Sequence, residues 1–574
     1  MDETVEISGW KFFLGCAFAA GGMYLLGSTV SFPGWVVALE LLLMILALFI
    51  FGSIRYRIDK NAVSYGGGLV ILATFWTLWW PGSALRAEGA SGLGPFVHRH
   101  FLTLHGLDAL VHADTMLFIL GLTLFVAVIS QTRLLETVSF IVLRRFQGRL
   151  AVTVAVIAGL VAAASGVLDG VSMIGLMIRT LVILLLLSKV EDELLIYAVM
   201  VSTVVTTVCG MWLAYGEPPN LIMKANLYPL LDDAFFLRYC LPAALGSYCI
   251  VAWNLSKKIG LRRVEMDKLD IFETHAADLR FLQAMRHGEV WTPLEFVAEH
   301  RESLGALADP LLERMHQGMS LGEALVSVGV PEERKRLLLD EFLSVETEGE
   351  LEEALEAVSR QRVRAQTVGL LSFIPFIGLL VWHAIDHRLP LFPAPFAGFL
   401  VALAGIWGHA KMRRLAFHEA KHEYAEYLFL FPLFLGISFL SKTGFFDQLA
   451  ALLRDGVASG AAIRLALGQF AGATVLSAML DNNVVADFAA RALHGLDVRF
   501  VHLFAMAQIA GYAAGGCWTH IGSAQSVVAY AFIHREIDAG YTPIRWIKAM
   551  TPVLLEICLF IAVLVCAEGW LMGR

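Results

Sequence analysis

The feature that most constrains this chain is a recurrence of apolar runs long enough to cross a bilayer. They lie near residues 10–30, 35–52, 64–82, 114–130, 150–188, 194–223 and 235–255, and again near 366–383, 396–409, 428–440, 463–494, 499–530 and 549–570. About 20 apolar residues in helical form span the hydrocarbon core. Lipid offers backbone groups no water to bond, so these runs are expected to be helices and not isolated strands. The expected fold class is therefore an all-α polytopic membrane protein. Composition agrees, with 57% of the 574 residues hydrophobic and 16% charged, against roughly 25% charged in a soluble chain. That balance excludes a single soluble domain, a disordered chain and a nucleic-acid binder. The lipid bilayer is the first expected partner.

The seven cysteines sit in apolar stretches without a CxxC pair, which reads as inert buried thiols and not disulfides or a metal centre. The first residues, Met1-Asp2-Glu3-Thr4-Val5-Glu6, lack the basic stretch of a signal peptide, so 10–30 is expected to be a retained span. Orientation follows Lys and Arg. With the N-terminus inside, Arg55, Arg57, Arg144, Arg145, Arg149, Arg413, Arg414, Arg545 and Lys548 all fall on the inner side. A polar interruption at 256–365 carries 15 of the 43 Lys and Arg residues, many at its two membrane junctions, and is assigned to the cytoplasm. The expected location is the inner (plasma) membrane, multi-pass, with the N-terminus and the 256–365 insert cytoplasmic.

Self-comparison reveals a repeat. Ser130-Gln131-Thr132-Arg133-Leu134-Leu135-Glu136 matches Ser441-Lys442-Thr443-Gly444-Phe445-Phe446-Asp447. Ser165-Gly166-Val167-Leu168-Asp169-Gly170 matches Ser477-Ala478-Met479-Leu480-Asp481-Asn482. Arg179 and Arg491 each follow their Asp by ten residues, and Gly210-Met211-Trp212 with Gly216 matches Gly516-Cys517-Trp518 with Gly522. The threading places the two copies in opposite senses. Inverted repeats with helices broken at mid-membrane are the architecture of secondary transporters. The chain divides into 1–113 (N-terminal helices and an extracytoplasmic loop), 114–255 (first repeat), 256–365 (a small helical insert), 366–419 (linking helices) and 420–574 (second repeat). Each repeat is expected to hold a re-entrant hairpin and a broken transmembrane helix.

Asp169 and Asp481 lie inside apolar segments, where a charge costs roughly 2.5–3.5 kcal/mol and usually marks an ion or proton site. Ser165, Ser477, Asn482 and Asn483 would add neutral oxygens, and freed tip carbonyls could join them. The competing reading is a helix cap that holds each tip closed. Tyr215-Gly216-Glu217-Pro218-Pro219-Asn220 interrupts an apolar helix with a glycine and two prolines, which break the hydrogen-bond ladder. Its counterpart is His520-Ile521-Gly522-Ser523-Ala524-Gln525-Ser526. Glu217, Asn220, Gly216, Gly522, Ser523 and His520 join the candidate ion- or substrate-binding set, with Glu217 and His520 as proton carriers. Arg179 and Arg491 are candidate charge partners or residues snorkelling at a hairpin base.

The Leu-Asp tips, Gly216-Glu217-Pro218-Pro219-Asn220 and Ile521-Gly522-Ser523-Ala524 resemble the ion transporter superfamily, most of all its sodium/proton antiporter and arsenite/citrate-permease-like branch. The resemblance covers roughly 114–255 and 420–570. It implies tips facing breaks, alternating access and a homodimer of scaffold and moving domains. This chain departs from that pattern at Gly170, where Asn is expected, and at Glu217, where Asp is usual. His520, Gln525 and Ser526 are unusual there too. The expected function is a Na+/H+ antiporter-like cation exchanger that is not an enzyme. It has no cofactor, with Na+ the candidate bound ion and a small ion as substrate. The alternative is an oxyanion or carboxylate permease.

Two other classes compete. The insert segments Gln317–Leu325 and Glu346–Leu355 resemble the cytoplasmic domain of type II secretion F-type proteins, which would make 256–365 a docking site for a cytoplasmic protein. His418-Glu419-Ala420-Lys421-His422 is a literal HExxH, the motif by which His418 and His422 would hold zinc in a metalloprotease. Glu423, Glu426 and Asp447 are the third-ligand candidates.

Overall fold

A computed structural model of the chain describes residues 5–6, 9–30, 32–53, 56–57, 60–79, 98–188, 190–264, 297, 301–317, 319, 321–331, 363–386, 388–425 and 427–572. These are helical almost throughout, and the strand pairing among them is a two-residue parallel contact of Val5–Glu6 with Tyr56–Arg57. Seven helical stretches among the described residues are long and apolar enough to cross a membrane. The protein is a multi-pass all-α membrane protein. Its outermost helices expose Trp10, Phe18, Leu25, Trp253, Leu559 and Val563, the surface expected of a chain solvated by lipid tails.

Three helices come first, α1 (Gly9–Thr29), α2 (Trp35–Ser53) and α3 (Lys60–Trp79). The first half of the body then runs α4 (Leu104–Val111), α5 (Ala113–Gln131), α6 (Leu134–Arg145), α7 (Leu150–Ser165), α8 (Gly170–Leu187), α9 (Asp192–Thr207), α10 (Pro218–Leu227) and α11 (Leu241–Ile259). Short helices α12 (Ala308–His316) and α13 (Leu321–Ser327) bury Ala308, Leu311 and Leu325 in a small cluster of their own. The Glu346–Leu355 motif of the insert lies outside the described residues. Linking helices α14 (Phe373–Ile385), α15 (Pro393–Gly405) and α16 (Ala410–Ala425) lead to the second half. That half comprises α17 (Leu430–Lys442), α18 (Phe445–Ala458), α19 (Ala462–Ser477), α20 (Asn482–Ala492), α21 (Val498–Trp518), α22 (Ala524–Phe532) and α23 (Pro543–Met572).

Some positions matched in the sequence also share a backbone conformation. The left-handed turn after α5 is at Arg133 (φ 56°), and the turn after α17 is at its match Gly444 (φ 78°). Hairpins α7–α8 and α19–α20 turn at Asp169 and Asp481. Helices α7 and α19 have 16 residues each, about 24 Å at 1.5 Å per residue, short of a core of about 30 Å. One π-helical turn, Ile533–Ile537, continues α22 directly, and another, Phe236–Cys240, leads into α11.

The halves interlock. Helix α10, after the first break, packs on the second half's α20, and α22, after the second break, packs on the first half's α8. Within each half the first hairpin arm packs on the helix leading into the break, α7 on α9 and α19 on α21. Close approach in the second pair needs Gly515, where a Cβ would lie 2.1 Å from the Thr474 carbonyl oxygen.

Candidate transport site at the two helix tips

Both tip aspartates cap helices. Asp169 Oδ2 accepts from the backbone N–H of Ser172 at 3.0 Å, and Asp481 Oδ1 accepts from that of Asn483 at 2.9 Å. Such caps satisfy backbone donors left over at a helix start. The cap reading is therefore realised, but each carboxylate has capacity beyond its cap. Asp169, 1% exposed, also accepts from Tyr427 Oη at 3.2 Å.

The tips are fastened to the breaks by backbone. Gly170 N–H donates to Gly216 O at 3.0 Å, and Gly216 N–H donates to Gly166 O at 3.1 Å. Gly216 has no room for a side chain, because a Cβ would lie 1.6 Å from Ser165 O. In the second half a side chain makes the link, Thr519 Oγ1 donating to Ala478 O at 2.5 Å, while Ser526 Oγ donates to Gly516 O at 2.8 Å across the break itself. Gly522 lies against Ser477 O, which a Cβ would meet at 2.8 Å.

A cavity of about 830 Å³ opens where the tips and breaks converge. Glu217, Asp481, Asn482, Asn483 and Ser523 line it, with Arg179 from α8 and Lys60 from α3. His418, Glu419, His422 and Glu423 also line it, so the turn carrying HExxH forms a wall. Among the described residues no group of three or more His, Cys, Asp or Glu is placed to hold a metal ion.

Other candidates act as supports. Ser165 is fully buried and donates to Ala162 O at 3.1 Å. Ser477 Oγ donates to Tyr512 O at 2.9 Å and touches Asn482. Asn220 is held by Tyr512 Oη at 2.5 Å and donates to Leu213 O at 3.3 Å. His520 lies in a smaller side chamber of about 280 Å³, with its ring 4.6 Å from that of Tyr530. Arg491 does not snorkel; it pairs inside the protein with Asp487, one turn earlier on α20. Sequence reasoning overlooked this i, i+4 spacing, which is legible on any helix.

Glu423 is the main residue that sequence reasoning weighed only as a zinc ligand. Ser172 Oγ lies 2.6 Å from Glu423 Oε1 and 3.0 Å from Asp169 Oδ2. One hydroxyl carries one hydrogen. With it given to one carboxylate, the other close contact calls for a proton on a carboxyl or a cation between them. Asn483 Oδ1 is buried and accepts nothing among the described residues, while its amide nitrogen donates to Asp481 at 2.7 Å. The site can thus bind protons or cations at two places and present fixed cations to an anion.

The citrate transporter family model matches residues 96–498, well over half of the chain and inclusive of both tips. The chain belongs to the citrate transporter family. No curated protein matches its sequence. Membership makes the chain a secondary transporter of the citrate-permease type, in a family of transport proteins and not of catalysts. The citrate transporter match ends at 498, so the second break at 519–523 is described by this structure alone.

Proposed function

We propose that this protein is a cation-coupled permease for small carboxylate anions, working by alternating access of two inverted halves. The family favours this alternative over cation exchange alone. The observation that carries it is the charge of the cavity wall. Four carboxylates, Glu217, Glu419, Glu423 and Asp481, share the cavity with Lys60 and Arg179, while Arg535 at its edge is exposed and pairs with Glu536 at 2.6 Å. A cation exchanger gains nothing from Lys60 and Arg179 in its cavity, where their charge repels the cation. A polyanion, conversely, meets a wall with two more acids than bases and enters readily only with protons or cations beside it.

The test is uptake of labelled citrate and other di- and tricarboxylates into proteoliposomes. Proton or Na+ gradients would be imposed, with and without a divalent cation. Gradient-dependent accumulation is expected, and no carboxylate uptake under any gradient would sink the reading. Cation exchange alone is the second reading, favoured by the unsatisfied Asn483 Oδ1 beside Asp481. Ion flux without any carboxylate would support it. A homodimer and a protein partner for 256–365 belong to the same proposal, tested by cross-linking in lipid and by pull-down.

A further inference from the structure

The two tips are built from matched positions, but each is closed from a different side. In the second half the residue after the tip aspartate is Asn482, 4% exposed. Turned with its nitrogen toward Ser477, its carboxamide donates to the carbonyl oxygens of Tyr512 at 3.3 Å and Gly522 at 3.2 Å. It reaches from tip to break, and Gly516 leaves room for it, since a Cβ there would meet the amide at 2.7–2.8 Å. In the first half the same position is Gly170, with no side chain to reach anywhere. The space is filled from the break by Glu217, whose Oε1 would lie 2.2 Å from a Cβ on Gly170. That oxygen accepts from Gln525 Nε2, in the other half, at 2.8 Å. At the position matched to Glu217, the second half carries Ser523.

We infer that the tips are functionally unequal: the first, packed by the Glu217 carboxyl, takes up one proton per cycle there, and the second, bridged by the Asn482 amide, takes up none at the matched position. A neutral carboxamide keeps its bonds whatever the proton supply. A carboxyl at the junction of Gly170, Glu217 and Gln525 changes charge on binding a proton, at the point where both halves meet. The groups that face Glu217 are the tip aspartates Asp169 and Asp481, with Tyr427, Tyr512 and Cys517. His418, His422, Glu419, Glu423, Lys60 and Arg179 share its cavity, with the Arg535–Glu536 pair at its edge.

The inference rests on the permease reading and deepens it. The experiment is calorimetry of carboxylate binding to the full-length detergent-purified protein in buffers of different ionisation enthalpy, which counts protons taken up per substrate bound. E217Q is expected to take up one proton fewer than wild type. G170N/E217S, which gives the first tip the chemistry of the second, is expected to do the same. An unchanged proton count in E217Q overturns the inference and leaves the permease reading standing. Loss of binding in both variants also overturns it, because the charge would then serve the substrate and not a proton. A wild-type protein that binds no carboxylate removes the permease reading before any variant is made.

Discussion

Arg491 Nε donates to Asp487 Oδ1 at 2.9 Å, one helical turn back along α20. Asp487 is fully buried and also accepts from Asn226 Nδ2 of α10 at 2.9 Å, with His112 Nε2 at 3.3 Å. Arg491 Nη2 in turn donates to Ser438 of α17 at 3.0 Å. The pair therefore ties the second tip helix to the first half's break helix. Removing one member of a buried pair typically costs roughly 3–5 kcal/mol, whereas replacing both by apolar groups of like volume is often near neutral. Arg491→Met is expected to lower the melting temperature sharply in detergent, and Arg491→Met/Asp487→Leu to recover much of the loss. Equal melting of wild type and the single variant would remove the pair from the account.

Asparagine is as good a helix cap as aspartate, so Asp169→Asn and Asp481→Asn separate capping from charge. Both variants should melt within about 1 kcal/mol of wild type, the scale of a cap. Both should lose carboxylate accumulation by about tenfold or more if the carboxylates bind the coupling cation, equivalent to about 1.4 kcal/mol. Wild-type flux in both would reduce the aspartates to caps.

Two glycines near the site should respond in opposite ways. At Gly216 a Cβ meets backbone oxygen at 1.6 Å, so the tip and break would have to separate. Gly216→Ala should fail to fold or lose well over the roughly 1–3 kcal/mol of ordinary overpacking. Gly175 lies within α8 with nothing within 4 Å of its would-be Cβ, and Gly175→Ala should gain about 0.5–1 kcal/mol from helix propensity. Paired melting curves decide.

Purified protein should hold far less than one zinc per chain, and His418→Ala should leave that content unchanged. HExxH supplies two imidazoles, but zinc in a catalytic site takes three protein ligands, and no third is placed to complete the set among the described residues. Stoichiometric zinc by elemental analysis, lost in His418→Ala, would restore the protease reading.

How much of this was readable beforehand differs by element. Lipid forces helices, and few residues can break them, so Asp169-Gly170 and Glu217-Pro218-Pro219 announced a tip and a break directly. The matched offset then located their partners at Asp481 and Gly522. Glu423, Tyr427 and Lys60 carried no such mark. They reach the tips only through packing of α3, α16 and the turn before α17, across sequence separations such as the 258 residues between Asp169 and Tyr427, and no local pattern encodes that. The departure at Gly170 and the departure at Glu217 looked independent in the sequence. In three dimensions they are one exchange of volume, with the longer carboxyl occupying room that an asparagine would take.

The crossing of α10 onto α20 and of α22 onto α8 means that neither half owns a complete interior. Each half's break helix packs mainly on the other half, α10 on α20 and α22 on α8 and α9. A gene cut between the halves would yield two polypeptides with matching wounds, each unfinished in the bilayer until it met its complement. The internal duplication behaves less like two machines joined by a tether than like a dimer whose subunits happen to share one chain.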